Sequence, residues 1–179
     1  MRLLTIATAL TLCVTFAGED RQAKRKARVD EAAVTAIDRL FAEQPGAESL
    51  LGRSFGYAVF SNLKIALGVS GGGGSGVAID RSSGERTYMR MGSAGVGLGL
   101  GGQRYYVVIF FETQEDFDRF VDDGWQADAS AHAAAGQDGA NVTSSFVDGV
   151  AVFQLTKKGL LASADVTGTK FWKDEKLND

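Results

Sequence analysis

The apolar positions that follow residue 18 recur with the period of a helix. Between Glu19 and Gln44 they are spaced three and four residues apart, which places them on one face of an amphipathic helix. They are Val29, Ala33, Ala36, Ile37, Leu40 and Phe41. Pro45 and Gly46 end the pattern, and Ala47 to Leu51 predict one more short helical turn.

From Phe55 the pattern becomes that of strands. Apolar segments lie on both sides of the glycine run Gly71–Gly76, so two strands flanking that run are predicted. In Ser93–Gly102, glycines alternate with apolar residues, and one strand face would therefore be bare backbone. Such a face favours close approach by a helix, another sheet or a ligand. The continuous apolar run Tyr105–Phe111 predicts a strand buried on both faces.

The last third of the chain predicts a short helix and further strands. Thr113 is a suitable N-cap and Gly124 a suitable end for that helix. Alternation over Trp125–Ala133 predicts a strand, and Val147–Leu155 with Leu160–Trp172 predict a hairpin around Lys157, Lys158 and Gly159. The predicted class is α+β: a compact, mainly antiparallel, glycine-rich β core with a long N-terminal amphipathic helix and one shorter helix.

The first 17 residues are typical of a secretory signal. Arg2 precedes the apolar stretch Leu3–Phe16, which is short for a membrane span, and Ala17 offers a small residue for cleavage. We therefore expect export to the periplasm or the medium, and the protein could then be peripheral to a membrane. A lipoprotein acylated at Cys13 is less favoured, because Leu12 is bulky where such a cleavage site needs a small residue.

Charge points to local rather than global attraction to anions. The net charge is −3, which favours neither nucleic acid nor membrane, yet the start of the predicted helix is basic. An amphipathic helix with a basic polar face is typical of binding at a membrane surface. A solubilising helix end gives the same pattern, and the residues alone leave both interpretations open. The basic residues are Arg21, Lys24, Arg25, Lys26 and Arg28.

The motifs that suggest catalysis lack their structural context. Ser70 lies in a G-x-S-x-G sequence, but a strand rather than a helix is predicted after it, and His132 is the only histidine. The glycine runs that resemble dinucleotide-binding loops also lead into strands. A single histidine gives zinc too few ligands, and the acidic residues between 112 and 123 lack calcium-loop spacing. We expect no enzyme, no cofactor and no metal site.

Five segments, taken in order, resemble the SYLF family. The matching segments are Gly56–Asn62, Gly71–Val77, Gly92–Gln103, Ala127–Gly136, and Lys158–Ala162 with Gly168–Lys170. Within the first segment, the family commonly has proline at the position of Ser61. The resemblance implies a mainly β domain packed against N-terminal helical structure, binding to membrane lipids, and no catalytic residues. Eukaryotic members are actin regulators at membranes, a role that an exported chain would not share.

Together these observations predict a non-catalytic lipid-binding protein of the cell envelope that binds anionic phospholipid at a membrane surface. The alternative is an envelope scaffold or protein-interaction module; nucleic acid is not expected as a partner. The predicted organisation is a signal peptide (1–17), a basic helical part (18–31), a SYLF-like domain (32–173) and a polar tail (174–179). The predicted lipid-binding residues are Arg21, Lys24, Arg25, Lys26, Arg28, Lys157, Lys158 and Lys170.

Overall fold

The computed structural model describes residues 5–127, 145–156, 159–160 and 168–179. It confirms the α+β class, the long first helix and the shorter helix after Thr113. The helices are α1 (Thr5–Glu43), α2 (Gly46–Arg53), α3 (Gln114–Asp122) and α4 (Glu175–Asn178). The strands are β1 (Gly56–Asp80), β2 (Arg86–Phe111), β3 (Trp125–Ala127), β4 (Val150–Thr156), β5 (Gly159–Leu160) and β6 (Thr169–Lys173).

The two longest strands form one hairpin that organises the sheet. β1 pairs antiparallel with β2 from Gly56 opposite Phe111 to Ile79 opposite Arg86, with a register shift after Leu67. β4 extends the sheet beside the second half of β2, and β6 extends it beside the first half. β5 lies next to β4, and β3 lies next to β6. Every one of these pairings is antiparallel, as predicted.

The glycine run Gly71–Gly76 does not separate two strands, and that prediction was wrong. The run lies inside β1, where Gly71 pairs with Ala94 and Ser75 with Arg90. Gly74 and Gly76 are required because the two halves of β1 touch: a Cβ on Gly74 would collide with the backbone of Ser61, and one on Gly76 with Phe60. A close approach of this kind was predicted for the glycines of Ser93–Gly102. At Gly101 an added Cβ would meet open space, so no close approach exists there. The surroundings of Gly95, Gly97 and Gly99 lie outside the described part.

The end of the chain differs from its prediction in two places. The hairpin between β4 and β5 is present, with Leu155 opposite Leu160. The prediction that β6 belongs to this hairpin was wrong, because β6 pairs with β2 and β3. The expected polar tail forms α4, whose Leu177 is fully buried. The predicted strand after Trp125 is described as far as Ala127, and its remainder lies outside the described residues.

Side chains on the two faces of the sheet form two separate hydrophobic cores. On the inner face, α3 packs through Phe117 and Phe120 against residues that include Phe111. On the outer face, α1, α2 and α4 cover residues that include Phe110. Successive residues of 107–111 enter alternate cores and are all buried, which confirms the prediction for this strand.

The first helix is fixed to the outer face along much of its length. Ala33, Ala36 and Leu40 are buried there, as the helical period predicted. Asp30 forms an ion pair of 3.0 Å with Arg86 and accepts a hydrogen bond of 3.1 Å from the Tyr88 hydroxyl.

α1 runs without interruption from residue 5, and a signal peptide over 1–17 stays a prediction. Within the described residues, no helix has the length and apolar content needed to cross a bilayer.

Candidate functional site

The five basic residues between positions 21 and 28 of α1 do not form one patch. Arg21 and Arg28 are exposed on the helix surface, whereas Lys24 pairs with Asp20 at 2.7 Å. The Lys26 ammonium lies 5.3 Å from the centre of the Tyr88 ring. Arg25 points toward the sheet, where its guanidinium is 3.4 Å from the Asp174 carboxylate.

Arg25 is one of three arginines that line a cleft on the outer face of the sheet. The cleft has a volume of about 350 Å³. We call it the arginine pocket, and it is lined by Arg25, Arg90 and Arg104 together with Ser61, Asn62, Leu63, Gly73, Gly74 and Ser75. Its arginines come from α1 and from two distant positions of β2, so three separate segments bring positive charge to one place.

The strand register explains why these side chains meet. Ser75 is directly opposite Arg90, and Leu63 is directly opposite Arg104. Directly opposed residues of an antiparallel pair place their side chains on the same face of a sheet. That face is the outer one, because Tyr88, two positions from Arg90, packs in the core under α1. The contact between the two halves of β1 then brings Ser61 beside Gly74, which closes the cleft.

A buried carboxylate holds two of the arginines. Asp174 is only 4% exposed, and its Oδ2 lies 3.4 Å from Arg25 and 3.9 Å from Arg90. Its backbone NH donates to the Tyr88 carbonyl oxygen at 3.0 Å, which fixes the carboxylate relative to the sheet. Among the described residues, no carboxylate forms an ion pair with Arg104. The pocket therefore keeps an excess of positive charge.

Exposed apolar side chains border the arginine pocket. Leu63 lines it, Ile65 follows on the same face and is 50% exposed, and Trp172 lies directly opposite Arg90. Of the four large apolar side chains that are exposed in the described part of the chain, only Val34 lies elsewhere. Lys170 is exposed and shares the face of Trp172, since it stands two residues before it in β6.

Sequence reasoning identified part of this site and missed the rest. Of the predicted residues, Arg25 lines the pocket and Lys170 lies on the same face of the sheet, whereas Lys157 and Lys158 lie outside the described residues. Arg90 and Arg104 were missed because each is a single charge in a strand. Their even separation was the available signal, since it is compatible with one strand face.

The structure gives little support to the catalytic alternatives. Ser70 is buried within β1, with strand residues on both sides, so the sharp strand-to-helix turn of a nucleophile elbow is absent there. His132 lies outside the described residues. The acidic side chains of α3 lie on the opposite side of the sheet from the arginine pocket. The residues that the structure describes contain no group of three or more potential metal ligands.

Comparisons with known proteins give one family and one relative. The family described as "Ysc84: Las17-binding protein actin regulator" matches residues 92–179, from β2 to the end of the chain. "Beta cell expansion factor A" from Aeromonas veronii is 41% identical over 151 residues, which make up 84% of this chain and 58% of that protein. The chain thus spans less than two thirds of that relative's length.

Proposed function

Because the chain belongs to the SYLF family, the Ysc84 family of the comparison, we propose that it binds anionic phospholipid at a membrane surface of the cell envelope without catalysing a reaction. SYLF domains are lipid-binding domains. Beyond this family property, we propose that the lipid is anionic, that one face of the protein binds it, and that binding takes place in the cell envelope. The binding face is the outer side of the sheet, at the arginine pocket.

The observation that carries this proposal is the combination of charge and apolar surface at one place. Arg90 and Arg104 supply positive charge, and Leu63, Ile65 and Trp172 are exposed beside them. A basic residue close to an anionic membrane contributes roughly 1 kcal/mol, and apolar side chains add to this by entering the headgroup region. Tryptophan is particularly suited to that region, because its ring is apolar and its NH can stay hydrated.

The distribution of charge favours one orientation on a membrane. α3 carries Glu115, Asp118 and Asp122, with Asp123 directly after it, and it packs on the face of the sheet opposite the arginine pocket. An anionic surface attracts one side of the protein and repels the other. A net charge of −3 is therefore compatible with binding to anionic lipid.

Cosedimentation with vesicles tests the proposal. We expect the protein to bind vesicles that contain phosphatidylglycerol, to bind poorly to phosphatidylcholine vesicles, and to lose binding as salt is raised. No binding to either vesicle at low salt would overturn the proposal. A stable protein partner recovered from envelope extracts, together with indifference to lipid, would favour the scaffold alternative.

We propose the envelope location on the first 17 residues alone, and it has its own test. If the segment is a signal peptide, protein recovered from an expressing bacterium should lie outside the cytoplasm and begin near Gly18. N-terminal sequencing after cell fractionation measures both. Intact protein that begins at Met1 and stays in the cytosol would contradict the location and leave lipid binding to be judged separately.

A further inference from the structure

We propose that the arginine pocket is a specific site for one phosphate ester, the headgroup of a single anionic phospholipid, rather than a general patch of positive charge. This inference rests on the proposed function, since the membrane supplies the ligand. It goes further because it assigns a bounded site, a chemical group and the residues that recognise it.

The donors in the pocket match phosphate. Arg25, Arg90 and Arg104 bring three guanidinium groups to the cleft, and guanidinium binds phosphate oxygens with paired, charge-assisted hydrogen bonds. Ser61 and Ser75 add hydroxyl groups to the wall, which can donate to further oxygens or to a headgroup hydroxyl. A volume of about 350 Å³ lies at the low end of ordinary ligand sites, as suits a headgroup without its acyl chains.

The arginines are held in place before a ligand arrives. Asp174 pairs with Arg25 and Arg90, so neither long side chain has to be ordered entirely by the ligand. One carboxylate cannot neutralise three guanidinium groups, and Arg104 forms no ion pair with a carboxylate of the described residues. Arg104 is therefore the arginine most available to an incoming phosphate.

The backbone of Gly73 and Gly74 keeps one wall of the pocket open. Gly73 has the same strand parity as Ser75 and therefore faces the outer side. A Cβ at Gly73 would meet nothing closer than the Met91 carbonyl oxygen at 4.0 Å. The Cβ of a larger side chain at this position would thus meet open space, and the rest of the side chain would extend into the pocket. This offers a way to narrow the site while leaving its charges unchanged.

Two variants and one matched control separate a bounded site from general charge. Arg104→Gln removes a pocket guanidinium, Gly73→Val narrows the pocket, and Arg119→Gln removes one positive charge from α3 on the opposite face. We expect binding to phosphatidylglycerol vesicles to fall about tenfold for the first two variants and no more than about twofold for the control. Circular dichroism and thermal melting establish that all three fold.

A soluble probe distinguishes a failure of this site from a failure of membrane binding. In the wild-type protein, glycerol 3-phosphate should shift the amide NMR signals of Ser61, Ser75 and Arg104, and malate, a dianion without phosphate, should not. If Arg104→Gln and Gly73→Val bind vesicles as well as Arg119→Gln does, the pocket proposal is wrong and lipid binding stands. If vesicles do not bind but glycerol 3-phosphate still shifts these signals, the site takes a soluble phosphate ester and the membrane proposal is wrong. If neither probe binds, both proposals are wrong.

Discussion

Arg25 and Asp174 are 149 positions apart in the chain, yet their side chains form an ion pair of 3.4 Å. Asp174 is 4% exposed and Arg25 is 46% exposed, so the pair joins the buried residue between β6 and α4 to the accessible side of α1. It fixes the first helix to the C-terminal segment at the mouth of the arginine pocket.

Replacing Asp174 by asparagine tests the importance of this pair for stability. Asparagine keeps the size of the side chain but removes the charge that Arg25 and Arg90 share. We expect the free energy of unfolding to fall by about 1–2 kcal/mol, less than for a fully buried pair because both arginines are half exposed. Urea denaturation of the variant and the wild-type protein measures this loss of free energy. Lys24→Gln is the control, since its ion pair with Asp20 is exposed and should contribute less than about 0.5 kcal/mol. Equal effects of the two changes would contradict this account.

The contact between the two halves of β1 predicts different effects at neighbouring glycines. Gly74→Ala places a methyl group against the Ser61 backbone, which cannot move aside without disturbing the ladder. We expect a loss of about 1–3 kcal/mol in the free energy of unfolding. Gly73→Ala has open space and should be neutral or slightly stabilising, because alanine loses less backbone entropy on folding. Chemical denaturation of both variants decides the point; similar losses would show that the halves do not pack as described.

Tyr88 should make stability depend on alkaline pH. Burial raises the pKa of the Tyr88 hydroxyl, as does the Asp30 carboxylate that accepts its hydrogen bond. The unfolded chain therefore loses this proton at lower pH than the folded protein does. The resulting contribution is complete below the unfolded pKa of 10.0 and is lost as pH rises through the folded value.

We expect the free energy of unfolding to decrease as the pH rises above 10.0, and to decrease less in Tyr88→Phe. Denaturation curves at several pH values measure both slopes. Burial also raises the pKa of Tyr57, so the variant should retain part of the dependence. Identical slopes for the two proteins would exclude Tyr88 as a source of it.

The docking of α1 predicts that this helix belongs to the cooperative unit of folding. Leu40 is fully buried between α1 and the sheet, whereas Val34 on the same helix is 63% exposed. Leu40→Ala should lower the free energy of unfolding by about 2–5 kcal/mol. Val34→Ala should change it by less than about 0.5 kcal/mol. If denaturation showed only a small effect of Leu40→Ala, the helix would not fold with the sheet.

The sequence predicted those features that depend on local periodicity. The spacing of Ala33, Ala36 and Leu40 is a property of one helix, and the cap at Thr113 is a property of one turn, where its hydroxyl accepts from the Asp116 NH at 3.2 Å. The role of Gly74 could not be predicted in this way, because Ser61 reaches it only when β1 brings its own halves together.

The candidate site depends even more on tertiary structure. The sequence identified Arg25 through its basic neighbours, since charge density is visible along a helix. Arg90 and Arg104 approach Arg25 only after β1 and β2 have paired and α1 has docked on the outer face. The pairing of Arg25 with a carboxylate near the other end of the chain has no local signal at all.

The fluorescence of Trp172 on an anionic membrane tests the central claim most directly. The chain has two tryptophans: Trp172 lies exposed opposite Arg90, and Trp125 packs against the inner core. Trp125→Phe leaves Trp172 as the only tryptophan, and Trp172→Phe is the matched control. With phosphatidylglycerol vesicles that contain brominated phosphatidylcholine, we predict a blue shift and quenching of Trp172, strongest with bromines near the headgroup, and little quenching of Trp125. Equal quenching of the two, or bound protein in which Trp172 is unquenched, would contradict binding through the arginine-pocket face.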